Sequence, residues 1–171
     1  MRAAAATALA MLLFAATPVR AAEAAAGGTL LINVMTLLDD GTDRTVLVPQ
    51  AVAGALKKKY AVVLLFDAEG VGSLKMGRWF GGHSTPIDRV KIAPAERQHL
   101  AGLLGTTADG IPDIYGSLLH FFKGRGVVVY VNKRALALRG IDNDHFDHVA
   151  EAVEDERIVE LLASAQVYAA Y

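Results

Sequence analysis

The sequence predicts an α/β domain with a single open, mainly parallel β-sheet and helices on both of its faces. Two observations carry this prediction. Short uncharged runs rich in valine, leucine and isoleucine recur along the chain, and segments of helical character separate them. Strands buried on both faces have this continuous apolar pattern, and their alternation with helices is typical of parallel βαβ units. A chain of 171 residues has room for one such domain.

The first 21 residues are predicted to be a cleaved signal peptide. Arg2 precedes an apolar stretch over residues 3–19, and a small-x-small cleavage pattern ends at Ala21. The alternative is a retained membrane anchor, but alanine dominates the stretch and its length is at the lower limit for spanning. We therefore expect a flexible spacer over residues 22–28 and a periplasmic or secreted domain over residues 29–171, free of the membrane after cleavage.

The composition excludes several classes of function. The chain has no cysteine, so it offers no disulfide, no thiolate nucleophile and no thiolate metal ligand. Loss of Arg2 and Arg20 from the 17 basic residues leaves 15 against 18 acidic ones. This balance does not provide the basic surface that nucleic acids require, so we expect no nucleic-acid partner.

The first βαβ unit is predicted from three adjacent segments. "TLLINVM" (residues 29–35) and "AVVLLFD" (residues 61–67) are the two buried strands. Thr42 or Asp43 can cap the helix between them, and lysines near its end favour a helix C-terminus. Pro49 leaves two interpretations open, because the helix either continues through it with a kink or starts at it.

The rest of the chain continues the alternation of helices and strands. Five glycines in residues 68–92 indicate a loop with short helical pieces. The elements predicted after it are helices over 93–105 and 114–126, a strand over 127–131, a short helix over 133–140, a polar loop followed by a helix over 142–165, and a terminal strand over 166–171. The terminal strand "QVYAAY" is uncharged, which makes an exposed sheet edge prone to association. We therefore expect a homo-oligomer, a dimer or trimer, with another protein partner as the alternative.

Three segments resemble the DsrE/DsrF-like family in their order and spacing: "LLINVMTL", "AVAGALKKKYAVVLLFDAEGV" and "LLHFFKGRGVVVYVNKRALALRGI". The resemblance covers about residues 29–141. The turn formed by residues 69–71 and the "RGI" segment at residues 139–141 contribute most to it. It implies a small α/β sandwich, an oligomeric assembly, and a link to sulfur relay and sulfur oxidation.

The chain departs from the family where the family's thiol chemistry resides. Many members have a cysteine directly after the third strand, sometimes with another three residues on, and a sulfur-carrying member uses such a thiol as persulfide carrier. Asn132 and Ala135 occupy the corresponding positions here. An amide and a methyl group cannot carry a persulfide. The resemblance therefore implies the scaffold, and the residues exclude a cysteine-based sulfurtransferase.

A binding pocket is expected at the carboxyl ends of the strands, where loops and backbone donors converge. The polar residues at these ends are Thr36, Asp39 and Asp40 after the first strand, Asp67 and Glu69 after the second, and Asn132 and Lys133 after the third. Asn132 can donate and accept hydrogen bonds to a small polar ligand. The alternative is that Asn132 caps the next helix and Asp67 stabilises a turn.

A metal site is the second candidate, in the segment "DNDHFDH". His145 and His148 are spaced i, i+3, so on a helix their rings would share one face. With Asp142, Asp144 or Asp147 they would suit a divalent cation such as Zn²⁺ or Cu²⁺. The alternative is a solvated first helical turn in which the acids complement the helix dipole.

Two further stretches of the glycine-rich segment are interpreted as loop. "GGHSTPID" contains His83, Ser84 and Asp88, but a catalytic triad is assembled from distant segments and no G-x-S-x-G elbow is present. "GSLKMG" lacks the spacing of a phosphate-binding loop. We interpret the first stretch as a loop that faces a partner.

Three functions follow from these observations. The first is an exported, non-catalytic binding or accessory protein on a DsrE/DsrF-like scaffold, in a sulfur-compound pathway and without a cofactor. The second is a periplasmic metal-binding protein that uses His145 and His148. The third is an enzyme in which Asp40, Asp67 or a histidine is the general base at the strand-end pocket. The absence of cysteine favours the first function over the family's thiol chemistry.

Overall fold

The structure is a computed structural model that describes residues 27–39, 43–77 and 84–171. The predicted signal peptide, most of the predicted spacer and Asp40 lie outside these residues. Within the described part of the chain, no helix combines the length and the hydropathy needed to cross a membrane.

The described residues form five strands and five α-helices. The strands are β1 (Thr29–Val34), β2 (Ala61–Phe66), β3 (Val128–Asn132), β4 (Glu151–Val153) and β5 (Val167–Ala170). The helices are α1 (Arg44–Lys57), α2 (Pro94–Leu104), α3 (Tyr115–Gly124), α4 (Lys133–Leu138) and α5 (Asp155–Ser164). Three short 3-10 turns lie between them, at Gly70–Leu74, Pro86–Arg89 and Ala108–Gly110.

The strands form one sheet in the order β4-β3-β2-β1-β5, and every neighbouring pair is parallel. β1 and β2 pair along their whole length, from Thr29 opposite Ala61 to Val34 opposite Phe66. The prediction of a single open, mainly parallel sheet is confirmed, and the pairing is wholly parallel. All carboxyl ends of the strands therefore lie at the same edge of the sheet.

Alternate residues of the central strands build a core on each face of the sheet. On one face, Ile32 and Leu64 pack in a large cluster with Val52 of α1, Leu100 of α2 and other buried residues. On the opposite face, a smaller cluster consists of Leu31, Val63, Leu65, Val153, Ile158 and Leu161. Because Ile158 and Leu161 belong to α5, this helix covers the second face, and helices lie on both faces as predicted.

The structure resolves one open interpretation and shows one missed element. α1 begins at Arg44 and contains Pro49 in its interior, so the helix does not start at the proline. Asp43 is the N-cap residue, but its side chain makes no capping hydrogen bond. β4 is the missed element, and it lies within residues 142–165, which were predicted as a polar loop followed by a helix. The sequence did not indicate this strand because its three residues "EAV" are too few to show an apolar or alternating pattern.

The turn after β2 folds tightly over the end of β1. The backbone N–H of Asp67 donates to the carbonyl oxygen of Val34 at 2.9 Å, and the N–H of Gly70 donates to the carbonyl of Asp67 at 2.7 Å. A Cβ atom placed on Gly70 would lie 2.0 Å from the Val34 carbonyl oxygen. Only glycine allows the backbone of this turn to approach the end of β1 so closely.

Tyr115, at the start of α3, should make the stability of the folded protein decrease at alkaline pH. Its side chain is fully buried, and this burial raises the pKa of its phenol above the usual range. In the unfolded chain the phenol ionises near pH 10. Above that pH the folded protein therefore retains a proton that the unfolded chain has lost. The free energy of unfolding should therefore fall with rising pH above about 10, by about 1.4 kcal/mol per pH unit.

The variant Tyr115→Phe isolates this contribution. We expect its free energy of unfolding, measured by urea titration, to depend less steeply on pH above about 10 than that of the unchanged protein. Equal slopes for the two proteins would show that the Tyr115 phenol ionises as readily in the folded state as in the unfolded chain.

Candidate functional site

Asn132 connects two strand ends at the predicted pocket. It ends β3 and caps α4, because its side-chain oxygen accepts the N–H of Ala135 at 3.2 Å. Its Nδ2 donates to Oδ1 of Asp67 at 2.8 Å, across to the end of β2. The amide is only 9% exposed, so the side chain fastens α4 to the sheet edge. Capping, the alternative reading of this residue, is what the geometry shows.

Asp67 stabilises the turn after β2. Its Oδ1 accepts the N–H of Ala68 at 2.7 Å in addition to the Asn132 amide. Ala68 has a φ of +46°, a left-handed conformation that is unfavourable by about 1–2 kcal/mol for a residue with a Cβ. The carboxylate therefore offsets local backbone strain.

The other predicted pocket residues form contacts around this pair. Glu69 accepts a hydrogen bond from Arg139 at 3.0 Å, and Lys133 pairs with Glu154. The hydroxyl of Thr36 is buried and makes no hydrogen bond within the described part of the protein. The strand ends thus bring Asp67 and Asn132 together, with ion pairs at Glu69 and Lys133.

A separate cavity, which none of these residues lines, has a volume of about 570 Å³, in the range of small-molecule sites. Its described lining consists of Asp39, Lys75, Met76, Gly77, Ser84, Thr85, Pro86, Arg89 and Val90. Asp39 follows β1 and Lys75 follows the 3-10 turn after β2, so part of the lining comes from segments that leave the carboxyl ends of the strands. The rest comes from the segment that precedes α2. Asp39 is the single strand-end candidate among the described lining residues.

One wall of the cavity is held by the segment before β4. The N–H of Met76 donates to the carbonyl of His145 at 2.9 Å, and the N–H of Asp147 donates to the carbonyl of Leu74 at 2.9 Å. Lys75, between these bonds, forms a β-bridge with Phe146. The backbone that carries the Lys75 ammonium is therefore fixed on both sides.

The other wall is held by Asp88. Its Oδ2 accepts hydrogen bonds from the backbone N–H of Thr85 at 2.6 Å and from the Thr85 hydroxyl at 3.0 Å. Gly116 lets Asp88 approach α3, since a Cβ on Gly116 would lie 2.0 Å from Oδ1 of Asp88. Asp88 thus orders the 3-10 turn that ends at Arg89. Asp88 is bonded within that turn, and His83, the histidine of the sequence pattern, lies outside the described residues.

The metal-ligand candidates are arranged differently from the helical pattern. Residues 142–150 form turns and not a helix, so the i, i+3 argument for His145 and His148 does not apply. The donor atoms that converge, within 4.8 Å of one another, belong to Asp142, Asp144 and His145. Nδ1 of His145 lies 2.7 Å from Oδ1 of Asp144. His148 lies outside this group, with its ring packed against Phe146.

Lys75 and Arg89 are the residues that the sequence patterns did not single out as ligand-binding. Each is one cation in a glycine-rich or turn segment, and neither segment matches a phosphate-binding motif. The signal present in the sequence is a basic residue on each side of a loop that contains three glycines. These two basic residues indicate a binding site only once the fold is known, because it places both in the lining of one cavity.

The domain defined by this fold and cavity is a small parallel α/β protein with a ligand-sized cavity on the carboxyl side of its sheet. No family model matches the chain, and no curated protein matches it. The solved structures that are similar to it include two from different organisms. MTH1491 of Methanobacterium thermoautotrophicum, described as a protein of unknown function, is 13% identical with a TM-score of 0.45. The YchN protein of E. coli is 12% identical with a TM-score of 0.48. Each match covers 84% of this chain and 99% of the other.

Proposed function

We propose that this chain is an exported, non-catalytic binding protein that holds a small ligand in the cavity lined by Lys75, Ser84 and Arg89. The observation that carries the proposal is the cavity itself, which has the volume of a small-molecule site and a lining fixed by backbone hydrogen bonds. Its described lining contains cations, hydroxyls and apolar groups, a set suited to holding a ligand.

A non-catalytic role is favoured by the contacts of Asp67, one of the candidate general bases. Oδ1 of Asp67 accepts hydrogen bonds from both Asn132 and Ala68. These bonds serve the turn and the start of α4, and Asp67 does not line the cavity. A general base must reach the proton that it removes. The Asp67 carboxylate instead accepts hydrogen bonds from neighbouring groups of the protein.

The resemblance to the DsrE/DsrF-like family supports a role in a sulfur-compound pathway. The five-stranded parallel sheet is consistent with a scaffold of that type. The chain has no thiol, so it is not a persulfide carrier. We propose that the scaffold binds its ligand without a covalent bond.

Export is the second part of the proposal. The charged start, the apolar stretch and the small residues before Ala21 are the features that signal peptidases recognise. Sequencing the N-terminus of the protein from its own cells should give a chain that begins at Ala22. A chain that retains residues 1–21 would contradict the predicted cleavage and favour a membrane anchor.

Association with a second copy is the third part. β5 is an edge strand without charged residues, and its Tyr168 is 49% exposed. On α5, Arg157 lies over the Tyr130 ring of β3. Leu162 is five residues further along the helix and therefore lies on the opposite flank of α5. This flank faces away from β3, towards β5 at the other end of the sheet. Leu162 and Val159 are 46% and 64% exposed. The β5 edge and these exposed apolar side chains of α5 form a surface that we expect another β5 edge to cover.

Light scattering of the purified protein tests this association. We expect an oligomer for the unchanged chain and a monomer for Leu162→Glu, which places a charge on the flank of α5. Leu138→Glu is the matched control, because Leu138 is 81% exposed on α4 and lies away from β5. Equal masses for both variants and the unchanged protein would exclude this surface as the contact.

Native mass spectrometry of protein isolated from its own periplasm tests the binding role. We expect a retained organic or sulfur-containing mass, which Ser84→Trp should abolish by filling the cavity. Ser117→Trp, at an exposed position of α3, should keep it. A retained metal that His145→Ala removes would instead support the metal-binding alternative, for which the convergence of Asp142, Asp144 and His145 is the structural basis.

A further inference from the structure

We infer that the cavity selects ligands that combine a negatively charged group with an apolar body. This inference rests on the proposed binding function and names the chemical class of its ligand. Three features of the described lining carry it: two cations without ion-pair partners, a positive balance of charge, and an apolar part that includes one hydroxyl.

The first feature is the pair of cations. Lys75 and Arg89 line the cavity from its two walls, and neither makes an ion pair or a side-chain hydrogen bond within the described residues. Most other cations near the sheet edge are paired, as Arg139 is with Glu69 and Lys133 is with Glu154. Two unpaired cations that face one concave space attract an anion more strongly than either would on an open surface.

The second feature is the charge of the lining relative to that of the chain. The whole chain has a formal net charge of −1. The described lining contains Lys75 and Arg89 against the single carboxylate of Asp39, so it is locally positive. A positive cavity in a weakly acidic protein favours an anionic ligand over a cationic one.

The third feature is the apolar part of the lining. Met76, Pro86 and Val90 contribute apolar atoms to the same lining. The hydroxyl of Ser84 adds a donor for an anionic oxygen. An inorganic anion would leave the apolar groups in contact with water, whereas an organic carboxylate, sulfonate or phosphate ester would cover them.

The backbone segments that carry the two cations are held in place by hydrogen bonds. Lys75 follows a backbone that is bonded to residues 145–147, and Arg89 ends the turn that Asp88 orders. The two charges therefore come from anchored segments on opposite walls. Both side chains reach solvent, so the attraction should weaken as salt screens it.

Two fluorescent probes with the same aromatic body separate charge recognition from apolar binding. 8-Anilinonaphthalene-1-sulfonate carries a sulfonate, and N-phenyl-1-naphthylamine is the same ring system without it. We expect the sulfonate probe to bind the folded protein more tightly than the neutral probe. Ser84→Trp should abolish the cavity-dependent signal of both.

The variants Lys75→Met and Arg89→Met remove one charge each while retaining a long side chain. Together they should weaken the sulfonate probe by about tenfold or more and change the affinity of the neutral probe by less than about twofold. Lys57→Met is the matched control, since Lys57 ends α1 at the amino side of the sheet and does not line the cavity. It should leave both affinities unchanged.

The outcomes distinguish the inference from the proposed function. If both probes bind equally and the two charge-removing variants change neither affinity, the anion class is wrong while the cavity remains a binding site. If neither probe gives a signal that Ser84→Trp removes, the cavity is not a binding site and the proposed function fails with it. If Lys57→Met weakens the sulfonate probe as much as Lys75→Met does, the attraction is a general surface effect and the inference is wrong.

Discussion

Gly70→Ala should lower the free energy of unfolding by about 3 kcal/mol, as overpacking substitutions at rigid sites do. The new Cβ would lie 2.0 Å from the Val34 carbonyl oxygen and 2.8 Å from its carbon. Both atoms are backbone, and Val34 pairs with Phe66 while its carbonyl accepts the Asp67 N–H. No side-chain rotation relieves the contact, so either β1 or the turn after β2 has to move.

Urea titration of the variant measures this loss. The control is Gly102→Ala, because Gly102 lies in α2 and an added Cβ would meet nothing within 4 Å. Alanine favours a helix over glycine, so the control should gain about 0.5–1 kcal/mol. The two glycine-to-alanine variants should therefore change the free energy of unfolding in opposite directions. A Gly70→Ala protein as stable as the unchanged one would show that the turn does not press against β1.

Asn132→Ala should lower the free energy of unfolding by about 2–3 kcal/mol, since the side chain makes two different hydrogen bonds. Its oxygen caps α4 through the Ala135 N–H, and its Nδ2 donates to the Asp67 carboxylate. Alanine removes both bonds. It also leaves the Asp67 carboxylate without its partner across the strand ends.

Asn132→Ser separates the two bonds. Serine is a good N-cap residue, so it should retain the cap and lose mainly the bond to Asp67. Its stability is expected between those of the unchanged protein and Asn132→Ala, and thermal or urea denaturation of the three proteins measures the order. Equal losses for alanine and serine would assign the whole effect to the Asp67 bond.

The strands illustrate what local sequence predicts well. β1, β2 and β3 are short uncharged runs rich in valine, leucine and isoleucine, so their positions follow from their composition. β4 has three residues, one of them glutamate, and it exists as a strand because β3 offers it an edge. Its pairing is a property of the assembled sheet, and no pattern within the segment indicates it.

The candidate site shows the same division. Asn132 as a cap could be predicted because capping depends on the next three residues. The bond between Asn132 and Asp67 could not be predicted from local sequence, since 65 positions separate the two residues. The sequence predicted only that the ends of their strands lie at the same edge of the sheet. Lys75 and Arg89 share a cavity because of hydrogen bonds to residues 145–147 and Asp88, which local spacing does not encode.

The pairing of β1 with β5 has a consequence for how the chain acquires its structure in time. Leu30 pairs with Val167, so a strand made early in synthesis is completed by one made late. Contacts between such distant positions form slowly, because a long loop must close before they stabilise anything. β1 therefore has an open side in every intermediate that precedes the docking of β5.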